Sequence, residues 1–211
     1  RLKQQLLADD GSHGKETVAI FGGSFNPPGL HHQRIAEKLT HHFDRVIVVP
    51  CGLRPDKASV DEVSIEHRKA MVTLAFGGMP GVVVDTHDLD QGVFTRTYDL
   101  QKVFQEKFPN AVIWHVVGGD IISGGREERS EIHLGWYRGP EMWQEFNFAV
   151  VMRPGYQVEA GDMPACSESI TIDHLFGSGT MVRDMIRAGT SVTDWVCPEV
   201  EDYLLKYQLY R

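Results

Sequence analysis

The stretch that decides the fold is residues 17–39, TVAIFGGSFNPPGLHHQRIAEKL. Residues 17–21 form a short β-prone run that Gly22 and Gly23 terminate. Beyond Pro27 and Pro28, Ile35, Ala36 and Leu39 recur at helical spacing, with Arg34, Glu37 and Lys38 between them. The stretch therefore reads as strand, loop, helix. Gly22 and Gly23 let main chain approach a ligand closely. A helix beginning just past a strand aims its free N–H groups at the strand's end, which suits a phosphate. Taken by spacing alone, two readings stand. One is a phosphate loop with His32 as a hydrogen-bond donor; the other is a plain turn followed by solvated histidines. The stretch is not G-x-G-x-x-G, and the chain has no G-x-x-x-x-G-K-[ST] loop.

Working outward, the alternation continues. Residues 45–50 are a continuously apolar strand, as a strand covered on both faces would be. Ser64 caps a helix running to Gly77-Gly78. Strands are expected over 82–84, 111–117, 147–152 and 170–172. Helices are expected over 98–108, from Gly177-Ser178-Gly179-Thr180 through Ile186, and from Pro198 onward. Met71, Leu74, Leu204 and Tyr207 fit a core stripe of their helices. Residues 123–139 are rich in Gly, Arg and Glu without a period and read as a loop or insertion. This alternation predicts an α/β fold: a doubly wound, Rossmann-like parallel sheet with helices on both faces. It is read as one domain over 17–211 behind a leader segment, 1–16.

Composition narrows the function. The formal net charge of −8 argues against a nucleic-acid partner, while a local cluster of donors can still bind a small anion. No apolar run approaches a membrane span. The three cysteines are scattered, with no CxxC pair, so neither a zinc site nor a disulfide framework is expected. A reducing, cytoplasmic setting is the default.

Several segments, in order, resemble the nicotinate/nicotinamide mononucleotide adenylyltransferases, within the HxGH-type nucleotidyltransferases. They are GGSFNPP with a following histidine, PCGLRPDK ending at Lys57, Glu66-His67-Arg68 with Ala70-Met71, Thr97 with Asp99, Gly118-Gly119-Asp120, Trp136-Tyr137-Arg138, SGTMVR from Ser178 to Arg183, and the closing CPEVEDYLLKYQLYR. The resemblance covers roughly 17–211. Departures fall on the chemistry. Where the family has H-x-G-H, this chain has Gly29-Leu30-His31-His32, so only the last histidine is in register. The second serine of the family's S-S-T is Gly179, and a histidine before the lysine is Asp56.

The resemblance implies adenylyl transfer from ATP to nicotinate or nicotinamide mononucleotide, with release of pyrophosphate. It implies Mg²⁺ held mainly by the ATP phosphates. It assigns His32, Lys57 and Arg183 to catalysis on the phosphates, and Gly22, Gly23, Ser24, Phe25, Gly118, Asp120, Ser178 and Thr180 to nucleotide binding. It assigns Thr97, Asp99 and Trp136 to the pyridine nucleotide. His31 is expected to be an imperfect substitute for an imidazole at position 29, because neighbours on a helix point about 100° apart. The altered motif keeps a second reading open, a non-catalytic or impaired nucleotide-binding protein on the same fold. A third is a metal-dependent phosphohydrolase using the His87-Asp88 pair.

Overall fold

The computed structural model describes residues 14–54, 62–154 and 158–211. Strand β1 is Thr17–Gly23, followed by helix α1 at Leu30–Thr40 and strand β2 at Arg45–Pro50. Helix α2 (Ile65–Phe76) leads to β3 (Val82–Val84), a short helix α3 (His87–Gln91), α4 (Thr97–Lys107) and β4 (Val112–Gly118). Then come α5 (Gly119–Ile122), α6 (Glu131–Gly135), α7 (Gly139–Glu145), β5 (Asn147–Met152), β6 (Cys166–Thr171), α8 (Gly179–Arg187) and α9 (Pro198–Tyr207).

The strands are ordered β3-β2-β1-β4-β5-β6. The pairs β1–β4, β4–β5 and β5–β6 run parallel. This order, reversing direction after β1, is that of the doubly wound α/β class. The continuous apolar reading of β2 is met by burial of every residue but its first.

By packing, the chain falls into two compact units. The first holds the described residues of Arg1–Phe21, Lys38–Val46 and Arg96–Asp173. Its core gathers Val117, Ile122, Ile132, Met142, Trp143, Phe146, Phe148 and Val150. The Asp44 carboxylate accepts from both the N–H and the hydroxyl of Thr17, at 3.0 and 2.9 Å. That bond ties the start of β1 to the turn before β2. The second unit holds Gly22–Glu37, the described residues of Ile47–Thr95, and His174–Arg211.

Three sequence expectations are corrected. Residues 123–139 are not a plain loop: they carry α6 and the start of α7, with a 3-10 turn at Gly125–Glu127. These pieces are too short to display a period, yet they bury Ile132, Met142 and Trp143. Gly125 is required there, since a Cβ would stand 2.4 Å from the Trp143 ring. Leu74 and Tyr207 are not core: they are 41% and 45% exposed, whereas Met71 and Leu204 are buried. The helix expected over 98–108 is Thr97–Lys107, one residue earlier at each end, with Arg96 at the N-cap position.

Candidate functional site

The second unit contains the loop from Gly22 to Gly29 and most of the residues singled out for phosphate chemistry. Arg68, on α2, is completely buried. Its Nη1 donates to the carbonyls of Ser24 (3.2 Å) and Cys51 (2.7 Å), and its Nη2 to that of Gly52 (2.9 Å). One guanidinium thereby clamps the main chain beyond β1 to the main chain beyond β2. The Cys51 N–H also donates to the Gly23 carbonyl at 2.9 Å. Arg68 Nε has no hydrogen-bond partner among the described residues.

Asn26 is the second fixed point. Its carbonyl accepts from Arg183 Nη1 at 2.7 Å, and its side-chain oxygen accepts from the Tyr210 hydroxyl. Burial pushes that hydroxyl above the ordinary tyrosine range. Arg183 Nη2 donates to the Thr180 hydroxyl at 3.2 Å, and Nε faces Glu62 at 3.6 Å. Arg183 is only 7% exposed, so it is not the exposed arginine that an ordinary helix start would carry. Gly179 lies close against this arrangement. A Cβ there would lie 3.0 Å from the Asn26 carbonyl oxygen and 3.3 Å from Arg183 Nη1. Ser178 caps α8 by accepting from the Met181 N–H at 3.1 Å.

His32 is half-buried in the first turn of α1. Its Nδ1 lies 3.0 Å from the Gly29 N–H. A main-chain N–H can only donate, so Nδ1 accepts and the proton of the neutral ring sits on Nε2. The ring meets that of Phe25 in a T-shaped contact, 5.0 Å between centroids. The loop therefore joins both predicted partners: Phe25 packs on His32 while its neighbour Asn26 bonds Arg183. Gly22, Gly23 and Ser24 complete the loop. Lys57 lies outside the described residues.

The first unit carries the remaining candidates. Gly118 ends β4, and a Cβ there would stand 2.3 Å from Asp120 Oδ1, so this glycine makes room for the carboxylate. Asp120 is exposed in the first turn of α5. Thr97 and Asp99 are half-buried in the first turn of α4. Trp136 is half-buried against the core cluster, with Nε1 3.4 Å from Glu131 Oε1. Beside it, Arg138 donates to the Tyr98 hydroxyl at 2.7 Å, and its guanidinium lies 4.5 Å from the Tyr98 ring centroid. Bonding to Glu141 raises the Arg138 pKa further.

Sequence reading gave no role to Asn26 or Tyr210, and gave Arg68 none beyond its place in a motif. Asn26 lies inside GGSFNPP, so its position was marked. Tyr210 lies inside the closing CPEVEDYLLKYQLYR segment, which marks the position but not its partner 184 residues earlier. The side chains of the His87-Asp88 pair lie in different surroundings. His87 is exposed, whereas Asp88 is buried and accepts from the Thr95 N–H and hydroxyl, both at 2.7 Å. No group of three or more metal-ligating side chains occurs among the described residues.

Comparison with known proteins bears on the family and the fold. The cytidylyltransferase-like family model matches residues 20–185. A "probable nicotinate-nucleotide adenylyltransferase" of Leifsonia xyli subsp. xyli is 30% identical over 199 residues, covering 92% of this chain and 94% of the relative. One of the same description from Streptococcus pneumoniae is 28% identical over 198 residues, covering 93% and 90%. The solved nicotinic acid mononucleotide adenylyltransferase of Plasmodium falciparum, complexed with NaAD, shares the fold. Its TM-score is 0.75 at 24% identity, over 92% of this chain and 97% of that one.

Proposed function

The chain belongs to the cytidylyltransferase-like family and is a nucleotidyltransferase, and from that premise we propose that it transfers the adenylyl group of ATP to nicotinate or nicotinamide mononucleotide in NAD biosynthesis. A phosphate oxygen of the mononucleotide attacks the α-phosphorus. The bond to the β-phosphate's bridging oxygen breaks, and pyrophosphate leaves. The attacking oxygen is already ionised at neutral pH, so no protein nucleophile is needed. The protein's work is to position two anions and to neutralise charge growing on the leaving phosphates. The relatives are described as probable nicotinate-nucleotide adenylyltransferases, which favours the nicotinate form. A cytoplasmic setting fits this role; among the described residues no helix is long and apolar enough to cross a membrane.

The observation that carries the reading is the way one loop is fixed around His32. The Gly29 N–H sets its tautomer, so Nε2–H is free of ambiguity as the donor to the triphosphate. Main chain from Gly22 to Phe25 lies against ATP. Ser178, Thr180 and the first N–H groups of α8 bind the β- and γ-phosphates beside Arg183. Lys57 adds a mobile charge. Gly118 and Asp120 take a ribose hydroxyl, while Thr97, Asp99 and Trp136 hold the pyridine nucleotide. Mg²⁺ would be held mainly by the phosphates, in keeping with a donor set here of amides, hydroxyls and cations, and would supply charge neutralisation there.

Pyrophosphate release with Mg-ATP and each mononucleotide tests this. Turnover is expected with the nicotinate form, and His32→Ala is expected to lower kcat by roughly 10²–10³, about 2.7–4 kcal/mol of barrier. ATP binding without turnover would instead identify the non-catalytic reading, and kcat unchanged by His32→Ala removes the donor role.

A further inference from the structure

The roles above leave one imidazole of the loop unused, and its surroundings are specific. His31 is only 3% exposed. A Cβ at Gly29 would stand 2.6 Å from its Nδ1 and 2.7 Å from its Cε1. A Cβ at Gly177, where φ is 109°, would stand 3.2 Å from the same Nδ1. Two glycines far apart in sequence therefore clear one space, and the His31 ring fills it. The floor of that space is shared with Trp195. Its carbonyl would lie 3.1 Å from the Gly29 Cβ and accepts from the Leu30 N–H at 2.8 Å.

The His31 ring then lies on His32, with centroids 3.8 Å apart and planes tilted by 39°. His32 is thus held three ways: by the Gly29 N–H at Nδ1, by Phe25 against one side, and by His31 against its face. Ring torsions of this kind are broad and roughly two-fold when nothing holds them. A flip would trade Nε2–H for the wrong atom.

We propose that Gly29 and His31 form a reciprocal pair: position 29 gives up its side chain so that the imidazole of position 31 occupies its place and acts as a positioning residue for His32. The inference rests on the donor role proposed for His32. It reverses the expectation that His31 is an imperfect substitute. Adjacent helical positions do diverge, but a side chain at 31 that folds back over Cα of residue 29 reaches the vacated volume.

The test compares the parent with His31→Ala, Gly29→His and the exchange Gly29→His/His31→Gly. Each is followed by kcat, KM for ATP, melting temperature and imidazole ¹⁵N spectra. His31→Ala is expected to lower kcat by roughly tenfold to a hundredfold while KM for ATP holds, with the His32 tautomers becoming mixed. Gly29→His alone is expected to fail by collision, and the exchange to regain most of the lost kcat with a single Nε2–H tautomer. A merely structural histidine would instead move melting temperature and KM together and leave the His32 spectrum alone. The proposal is overturned if His31→Ala keeps kcat and the tautomer, or if the folded exchange variant stays as slow as His31→Ala. Should the single variants not fold, the exchange alone decides. A parent that turns over no mononucleotide defeats the proposed function, whereas the spectra still decide the pair.

Discussion

The loop leaving β1 and the segment leaving β4 both begin with glycine at the end of a parallel strand, yet they are held in opposite ways. The first is tied by buried polar crosslinks: Arg68 to three carbonyls, Arg183 and Tyr210 to Asn26, and Gly29 to His32. The second rests on apolar packing, with Ile132, Met142 and Trp143 beneath it and Asp120 and Tyr137 exposed. The difference matches the two ligands proposed. A triphosphate needs donors fixed before it arrives, because charge stabilisation rewards preorganisation. A flat heterocycle asks chiefly for a surface to lie on, which packed aromatics provide.

The sharpest way to break this contrast is Arg68→Met. It removes a buried guanidinium and leaves three carbonyls short of a donor. We expect a loss of about 3–5 kcal/mol, measured by denaturant unfolding. A loss under about 1 kcal/mol would mean that the loop does not depend on its clamp.

The apolar side of the contrast has its own dependence, on pH. His115, in β4, is buried beside Phe146 with Nε2 2.8 Å from Gln101 Oε1, and burial depresses its pKa to about 4. The native state therefore binds fewer protons than the unfolded one between that value and the ordinary histidine value of about 6.5. Stability is complete above the latter and falls as pH drops through the window, by on the order of 3 kcal/mol for this group. His115→Gln should flatten that part of the stability-against-pH curve; an unchanged slope assigns the effect elsewhere.

The smallest effect should come from Trp136→Ala. Loss of a stacking surface is expected to raise KM for the mononucleotide by an amount equivalent to about 0.5–1.5 kcal/mol, with KM for ATP unchanged. Equal changes in both would show that Trp136 serves the first unit's packing alone.

What the sequence made legible follows the range of the interactions involved. Strands 45–50, 82–84 and 147–152 were readable to the residue, because a continuous apolar run is a local property. So was Ser64, whose hydroxyl accepts from the His67 N–H at 3.3 Å, three residues on. Residues 123–139 were not readable as helix, since five- and seven-residue helices are shorter than the windows in which a period appears. The burial of Arg183 was hidden for a different reason: its partner Asn26 is 157 positions away. Gly29 and Gly179 looked like lost side chains when set against a motif. The structure shows Gly29 making room for His31 and Gly179 lying close against the Arg183–Asn26 bond.

Asn26 also sets an order of events during synthesis. Its two partners lie 157 and 184 positions later in the chain. A ribosome adding about 5–20 residues each second takes about 10–40 s to cover the longer gap. The loop is made well before either partner and is fastened only once both have followed, so in a nascent chain the proposed grip on ATP stays unfinished until residue 210 has emerged.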